Sequence, residues 1–186
     1  MTRDRTEVQV IQPNIAPDET LAAMELDDEV ALEAVRVVGY PKFLFDYRAD
    51  LERKFISDRE VELSVTVDAL TGGRFRNDIY PDLESRTIAR SALLAPQLDR
   101  DAAADKARSV MRRYISFHFS TFVMVSNLPP MEITREDLVF NLYWLVPSWT
   151  EGEQTREVAI VDSVSGDVVE EDVELDAVKE QLVSGE

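Results

Sequence analysis

Two stretches of this chain share one spacing that leaves little freedom in how they fold. Val65-Thr66-Val67-Asp68-Ala69-Leu70-Thr71-Gly72 and Ala159-Ile160-Val161-Asp162-Ser163-Val164-Ser165-Gly166 both pass from β-branched residues into the pattern V-D-x-[LV]-[ST]-G. A second run follows each, Arg74-Phe75-Arg76 in one place and Val168-Val169-Glu170 in the other. β-Branched side chains are stiff at χ1 and pack well on a pleated surface. An Asp carboxylate closes its own turn by accepting backbone N–H bonds, and Gly supplies positive φ without a Cβ penalty. The pattern predicts strand, tight turn and strand, built twice.

The parallel extends upstream. Tyr40-Pro41-Lys42-Phe43-Leu44-Phe45 stands to the first turn as Phe140-Asn141-Leu142-Tyr143-Trp144-Leu145 stands to the second. Pro13-Asn14-Ile15-Ala16-Pro17-Asp18 matches Pro96-Gln97-Leu98-Asp99-Arg100-Asp101, and each opens a helix, with Pro17 suited to a first helical position and Asp99 to an N-cap. The order of elements is the same in both halves. The chain reads as two degenerate copies of one unit: helix, aromatic strand, loop, strand, V-D turn, strand.

The map that follows has a disordered start over 1–7, a first α+β unit over 8–79, a connector over 80–98, a second α+β unit over 99–175 and an acidic tail over 176–186. Strands are expected at 33–47, 59–68, 73–79, 131–134, 138–147, 155–162 and 167–174, with acidic Glu136-Asp137 as a turn and Pro41 marking an edge or bulge. Helices are expected at 17–25, around Arg86–Leu93, and from Asp99 onward, where Ala103, Ala107, Val110, Met111 and Tyr114 recur at helical spacing. Residues 115–125 suit either a buried helix end or a strand. On the first hairpin, Val61, Leu63, Val65 and Val67 should point inward, with Glu60 and Glu62 outward. The expected fold class is α+β: two degenerate helix-plus-antiparallel-sheet repeats packed as one pseudo-twofold domain.

Composition removes function classes. With no cysteine in 186 residues, disulfides, thiolate metal sites, iron–sulfur clusters and a cysteine nucleophile are excluded. A single histidine excludes any site needing two imidazoles. A net charge of −17 argues against binding phosphate backbones. No run of apolar residues is long enough for a membrane span, and no apolar segment follows Met1-Thr2-Arg3-Asp4-Arg5 as a signal peptide would require. The expectation is a cytoplasmic protein with no membrane insertion, nucleic acid, cofactor or specific metal. The bases are 16 Arg and only 4 Lys, and acids are spread throughout. High Asp/Glu with scarce Lys resembles the proteins of salt-in halophiles, haloarchaea among them, where salt screens self-repulsion.

The candidate chemistry is thin. His118 lies between Phe117 and Phe119 and reads as structural before it reads as a general base. Asp68 and Asp162 could pair as carboxylates, but the Thr71-Gly72 and Ser165-Gly166 that follow them favour turn closure. Asp162–Asp167 lacks the acids of a calcium loop. Thr71-Gly72-Gly73-Arg74 leads into a strand rather than a helix, so it is no phosphate nest. Arg108, Arg112 and Arg113 form a basic cluster expected to pair with nearby acids.

The repeated unit resembles the PepSY-like modules, in which a helix precedes an antiparallel sheet ending in an aromatic or Val run and V-D-x-[ST]-G. Val67, Asp68, Thr71 and Gly72 carry the resemblance in the first copy. Val161, Asp162, Ser165 and Gly166 carry it in the second, with Tyr143 and Trp144 on the preceding strand. It implies an interaction or inhibitory module without catalysis, though those modules often sit on membrane proteins or secreted proteases, and this chain shows neither signal nor anchor. Sheet aromatics then become candidate partner-binding residues: Tyr47, Tyr143, Trp144 and Trp149, the last beside Thr150-Glu151-Gly152 and expected to be partly exposed. The expected function is a non-catalytic accessory module that binds a protein partner or itself. The alternative is an enzyme or small-ligand binder with its site at the seam between the copies, using Asp68, Asp162 or His118.

Overall fold

A computed structural model describes residues 4–24, 29–51, 59–119, 129–150 and 153–184; the side chains of 29–31, 59, 149, 150, 153–155 and 184 fall outside the description. Eight strands are present: β1 Arg5–Ile11, β2 Arg36–Leu51, β3 Arg59–Asp68, β4 Arg74–Asn77, β5 Leu83–Ala89, β6 Met131–Thr150, β7 Glu153–Asp162 and β8 Val168–Glu174. The helices are α1 Pro17–Ala23, α2 Glu29–Ala34, α3 Arg100–His118 and α4 Val178–Ser184, with a 3-10 turn at Arg90–Ala92.

The strands form one mixed sheet of order β4-β3-β2-β6-β1-β5, with β7 added to β6 and β8 to β7. The β1–β5, β2–β3, β3–β4, β6–β7 and β7–β8 ladders are antiparallel, while β1 and β6 meet in parallel at Val10 and Phe140. This corrects the expected fold class. The described residues are mostly sheet, 51% strand against 26% helical, and do not form a pair of helix-plus-sheet repeats.

Contacts divide the chain into two compact units. A terminal unit comprises Met1–Pro41, Asp82–Ala95 and Val139–Glu186, and a central unit comprises Lys42–Pro81 and Pro96–Leu138. The stretches 8–79 and 99–175 are therefore each shared between both units. The cause is physical. Seven-residue α1 buries only Thr20 and Leu21, too little to cover a hairpin, and the long strands β2 and β6 run on past the expected boundaries.

The central unit shows why its sequence folds as it does. The β2–β3 ladder runs from Lys42↔Asp68 to Leu51↔Arg59. Pro41, which has no N–H to give, stands one residue before that ladder begins. Val61, Leu63, Val65 and Val67 are buried and Glu60 and Glu62 exposed, as strand alternation requires. Against this face lies α3, with Ala103, Ala107, Met111 and Ile115 buried at four-residue spacing. Asp99 caps α3 by accepting the Ala102 N–H at 2.8 Å. Each fully buried large apolar side chain here contributes about 1.5–3 kcal/mol.

The terminal unit has its own core of Val10, Leu21, Ile88, Phe140, Leu142, Trp144, Val146, Ala159 and Val161. Residues 83–89, expected to lie in a connector with a helix, are instead strand β5, paired with β1 from Arg5↔Ala89 to Ile11↔Leu83. The expected break at Glu136-Asp137 is also absent, and β6 runs straight through it. Pro147 stands where the β6–β7 register shifts, so its missing N–H falls at a bulge. Among the described residues no helix is long and apolar enough to cross a membrane.

Candidate interaction site

The two V-D turns close as their sequence predicts. Asp68 Oδ1 accepts the N–H groups of Leu70 at 2.7 Å and Thr71 at 2.8 Å, and Thr71 Oγ1 accepts the Gly73 N–H at 3.2 Å. Asp162 Oδ1 accepts those of Val164 at 2.7 Å and Ser165 at 3.3 Å, and Ser165 Oγ accepts the Asp167 N–H at 3.1 Å. Gly72 and Gly166 have φ of 77° and 79°. Both carboxylates are thus engaged in shaping backbone. Asn141 adds a bond from Nδ2 to Asp162 Oδ2 at 2.9 Å, while Asn141 Oδ1 and Ser163 Oγ are buried without a hydrogen-bond partner among the described residues.

Each turn receives its second layer of bonds from a segment far away in sequence. The Ala69 carbonyl accepts the N–H groups of Gln97 at 2.8 Å and Leu98 at 2.9 Å. The Ser163 carbonyl accepts those of Asn14 at 2.9 Å and Ile15 at 3.1 Å. Residues 14–15 and 97–98 hold equivalent places ahead of α1 and α3. The segment from the first half of the chain therefore docks on the second turn, and the segment from the second half docks on the first.

The predicted partner-binding aromatics lie in the cores. Tyr47 is fully buried, and its hydroxyl donates to the Ala104 carbonyl at 2.8 Å. Trp144 is buried with its indole N–H donating to the Ile15 carbonyl at 3.0 Å. Tyr143 is buried edge-on to Tyr40, ring centroids 6.2 Å apart. The polar ends of Tyr47 and Trp144 find acceptors inside, so these rings pack without reaching the surface. Trp149 belongs to β6 by its backbone, and its side chain lies outside the described residues. His118 is exposed at the end of α3, its ring tilted 43° to that of Tyr114 with centroids 4.5 Å apart. Of residues 115–125, helix α3 takes those up to His118, and 120–125 lie outside the described residues.

The exposed apolar side chains are elsewhere. Phe75 on β4 is 54% exposed, Ile79 just after it 78%, and Phe117 in the last turn of α3 80%. Among the described residues β4 is an edge strand, paired only with β3 through Ser64↔Asn77 to Val67↔Arg74. Arg74, Phe75 and Arg76 are all exposed. The Arg76 guanidinium lies 5.3 Å from the Tyr114 ring centre and pairs with Asp78 at 3.3 Å, tying the strand to the end of α3. Alongside is a cavity of about 500 Å³, lined among others by Asp46, Ser64, Asn77, Tyr80 and Thr134.

Tyr80 anchors the loop after β4. Its hydroxyl donates to Asp137 at 2.6 Å, and the Arg135 guanidinium covers its ring at 4.0 Å. Burial, reinforced by the bond to Asp137, pushes the Tyr80 phenol well above the ordinary tyrosine range. Burial also raises Tyr47. Among the described residues no group of three or more acids or imidazoles is placed to hold a metal ion. Of the α3 arginines, Arg108 pairs with Asp105 at 2.7 Å.

Sequence reasoning passed over Phe75, Ile79 and Tyr80. The signal was present: Arg74–Asn77 is a short run closed at once by Asp78 and Pro81, so nothing in sequence continues the sheet past it. No protein-family model, no curated protein and no solved structure matches the chain.

Proposed function

We propose that this chain is a cytoplasmic, non-catalytic interaction module that binds protein by accepting a strand at the β4 edge of its central unit. The observation that carries the reading is the edge itself, a strand bonded on one side only with Phe75 more than half exposed. An unpaired edge offers backbone N–H and C=O groups to an incoming strand, and the side chains beside it select which strand is accepted. Here those side chains are Phe75 and two arginines, which favour a strand bearing an apolar residue and carboxylates. The resemblance of both turns to PepSY-like modules supports a role without catalysis. So does the engagement of Asp68 and Asp162 in turn closure.

A photo-crosslinking residue placed at position 75 in the organism of origin tests this. It should give discrete protein adducts that the same group at exposed Asp105 on α3 does not give. No adducts, or the same adducts from both positions, would overturn the reading.

A small-ligand reading has one observation in its favour, the polar cavity beside Tyr80. It predicts that a panel of polar metabolites contains one that raises Tm, and that Ser64→Leu, which fills the wall, abolishes the rise. A panel without effect would remove it.

A further inference from the structure

We propose that the β4 edge takes the β8 edge of a second copy of this chain. The proposal rests on the reading of β4 as a strand-accepting edge and names its occupant. Among the described residues three strands end the sheet, each paired on one side only: β4 with β3, β5 with β1 and β8 with β7.

Their charges differ. On β5, Glu84 and Arg86 form an ion pair with each other, so that edge is locally neutral. β4 carries Arg74 and Arg76 and no acid within the strand; Arg76 pairs with Asp78 just beyond its end, and Arg74 makes no ion pair among the described residues. β8 carries Glu170, Glu171, Asp172 and Glu174 and no base, and those four make no ion pair among the described residues. Two β4 edges would set arginine against arginine, and two β8 edges would set carboxylate against carboxylate. Only β4 with β8 brings opposite charges together, so like-charge repulsion selects the mixed pair.

The apolar parts match as well. Val168 and Val169 are 42% and 45% exposed at the start of β8, next to Glu170 and Glu171. The window Val168–Glu171 is as long as β4, and alternation turns one valine and one carboxylate to each face, so one glutamate meets the face of Arg74 and Arg76 while a valine and the other glutamate lie on the face of Phe75. Beyond it Asp172 has φ 54°, which bends the strand and ends the usable edge. Such a contact is head-to-tail, so a pair of copies keeps one free β8 edge and one free β4 edge, and chains of copies can grow.

Whole-molecule repulsion works against it. Each copy carries −17, and that long-range term is removed first by salt, because the screening length falls to about 3 Å at 1 M while charges in contact stay closer than that. Association should therefore strengthen from low salt to about 1 M KCl.

Sedimentation velocity of the full chain across a concentration series in about 1 M KCl tests the proposal. The wild type should show a mass average that climbs with concentration. R74E/R76E and E170R/E171R, all at exposed positions, should each weaken association about tenfold or more. An equal mixture of the two variants, and the chain carrying all four reversals, should recover wild-type association because opposite charges face each other again. A wild type that stays monomeric, or association that survives unchanged in both variants, would overturn it. If the wild type is monomeric while position 75 still crosslinks to another protein, the second-copy proposal fails and the strand-accepting reading stands. If neither occurs, both fail.

Discussion

The Asp68 turn and the Asp162 turn share their sequence pattern, their carboxylate bonds and their left-handed glycine, yet they stand in different surroundings. Asp68 is fully buried, and its two bonds are short. Asp162 is half-buried, and one of its bonds stretches to 3.3 Å. What docks on the first turn leads into 19-residue α3, which lays five side chains on the core. What docks on the second leads into seven-residue α1, and that unit draws the rest of its core from strands β1, β5, β6 and β7. A local motif fixes a turn; the element that lands on it decides what kind of core grows there.

The comparison can be broken in order of effect. Asp68→Ala should cost about 3 kcal/mol by urea denaturation, because two N–H groups lose a charged acceptor in a dry site, while Asp162→Ala should cost about half as much. Asp68→Asn keeps an oxygen acceptor and should recover most of the loss. Equal costs for the two alanine variants would mean that burial does not separate the turns.

Gly166→Ala should come next, at about 2 kcal/mol, since positive φ alone costs about 1–2 kcal/mol and a new Cβ would also collide with Ile15 Cδ1. Gly72→Ala should cost only the φ penalty of about 1 kcal/mol, because its neighbour is the movable end of Lys106. In an Ile15→Ala background the two glycine substitutions should converge, and a double-mutant cycle reads this directly.

Capping gives a smaller contrast. Asp99→Ala should destabilise by about 1 kcal/mol. Helix α1 begins at Ala16, which has no side-chain acceptor, and only Glu19 reaches back to the Ala16 N–H at 2.9 Å. Ala16→Asp should therefore stabilise by about 0.5–1 kcal/mol.

The smallest effect concerns pH. Folded-state pKa values of Tyr47 and Tyr80 lie above the unfolded 10.0, so the stability they lend is fully present below pH 10 and is lost as pH rises beyond it. Absorbance at alkaline pH should show Tyr47 and Tyr80 ionising only as the chain unfolds. Tyr80→Phe should remove one of these two late ionisations.

Much of this was legible in the sequence, and the gaps have physical causes. The turns, the inward valines and the Asp99 cap follow from side-chain chemistry acting over a few residues. The docking of 14–15 on Ser163 and of 97–98 on Ala69 is made by backbone N–H and C=O groups, which every residue but proline carries, so no side chain announces it. Glu136 and Asp137 read as a turn because acids disfavour strands. In the fold Glu136 pairs with Arg100, and Asp137 accepts from Tyr80 and Arg135, which holds both within β6. The aromatics misled for a related reason. Alternation divides them between two faces, and both faces are covered, so Tyr47 and Trp144 stay inside and the exposed rings come from the short strand and the helix end.

The central claim is that each turn is completed by a segment from the opposite half of the chain. Amide hydrogen exchange in Asp68→Asn and Asp68→Ala, read residue by residue, tests it most directly. Asp68→Ala should expose the Gln97 and Leu98 amides to faster exchange while leaving Asn14 and Ile15 protected, with Asp68→Asn close to wild type. Loss of protection at Asn14 and Ile15, with Gln97 and Leu98 unchanged, would contradict the account.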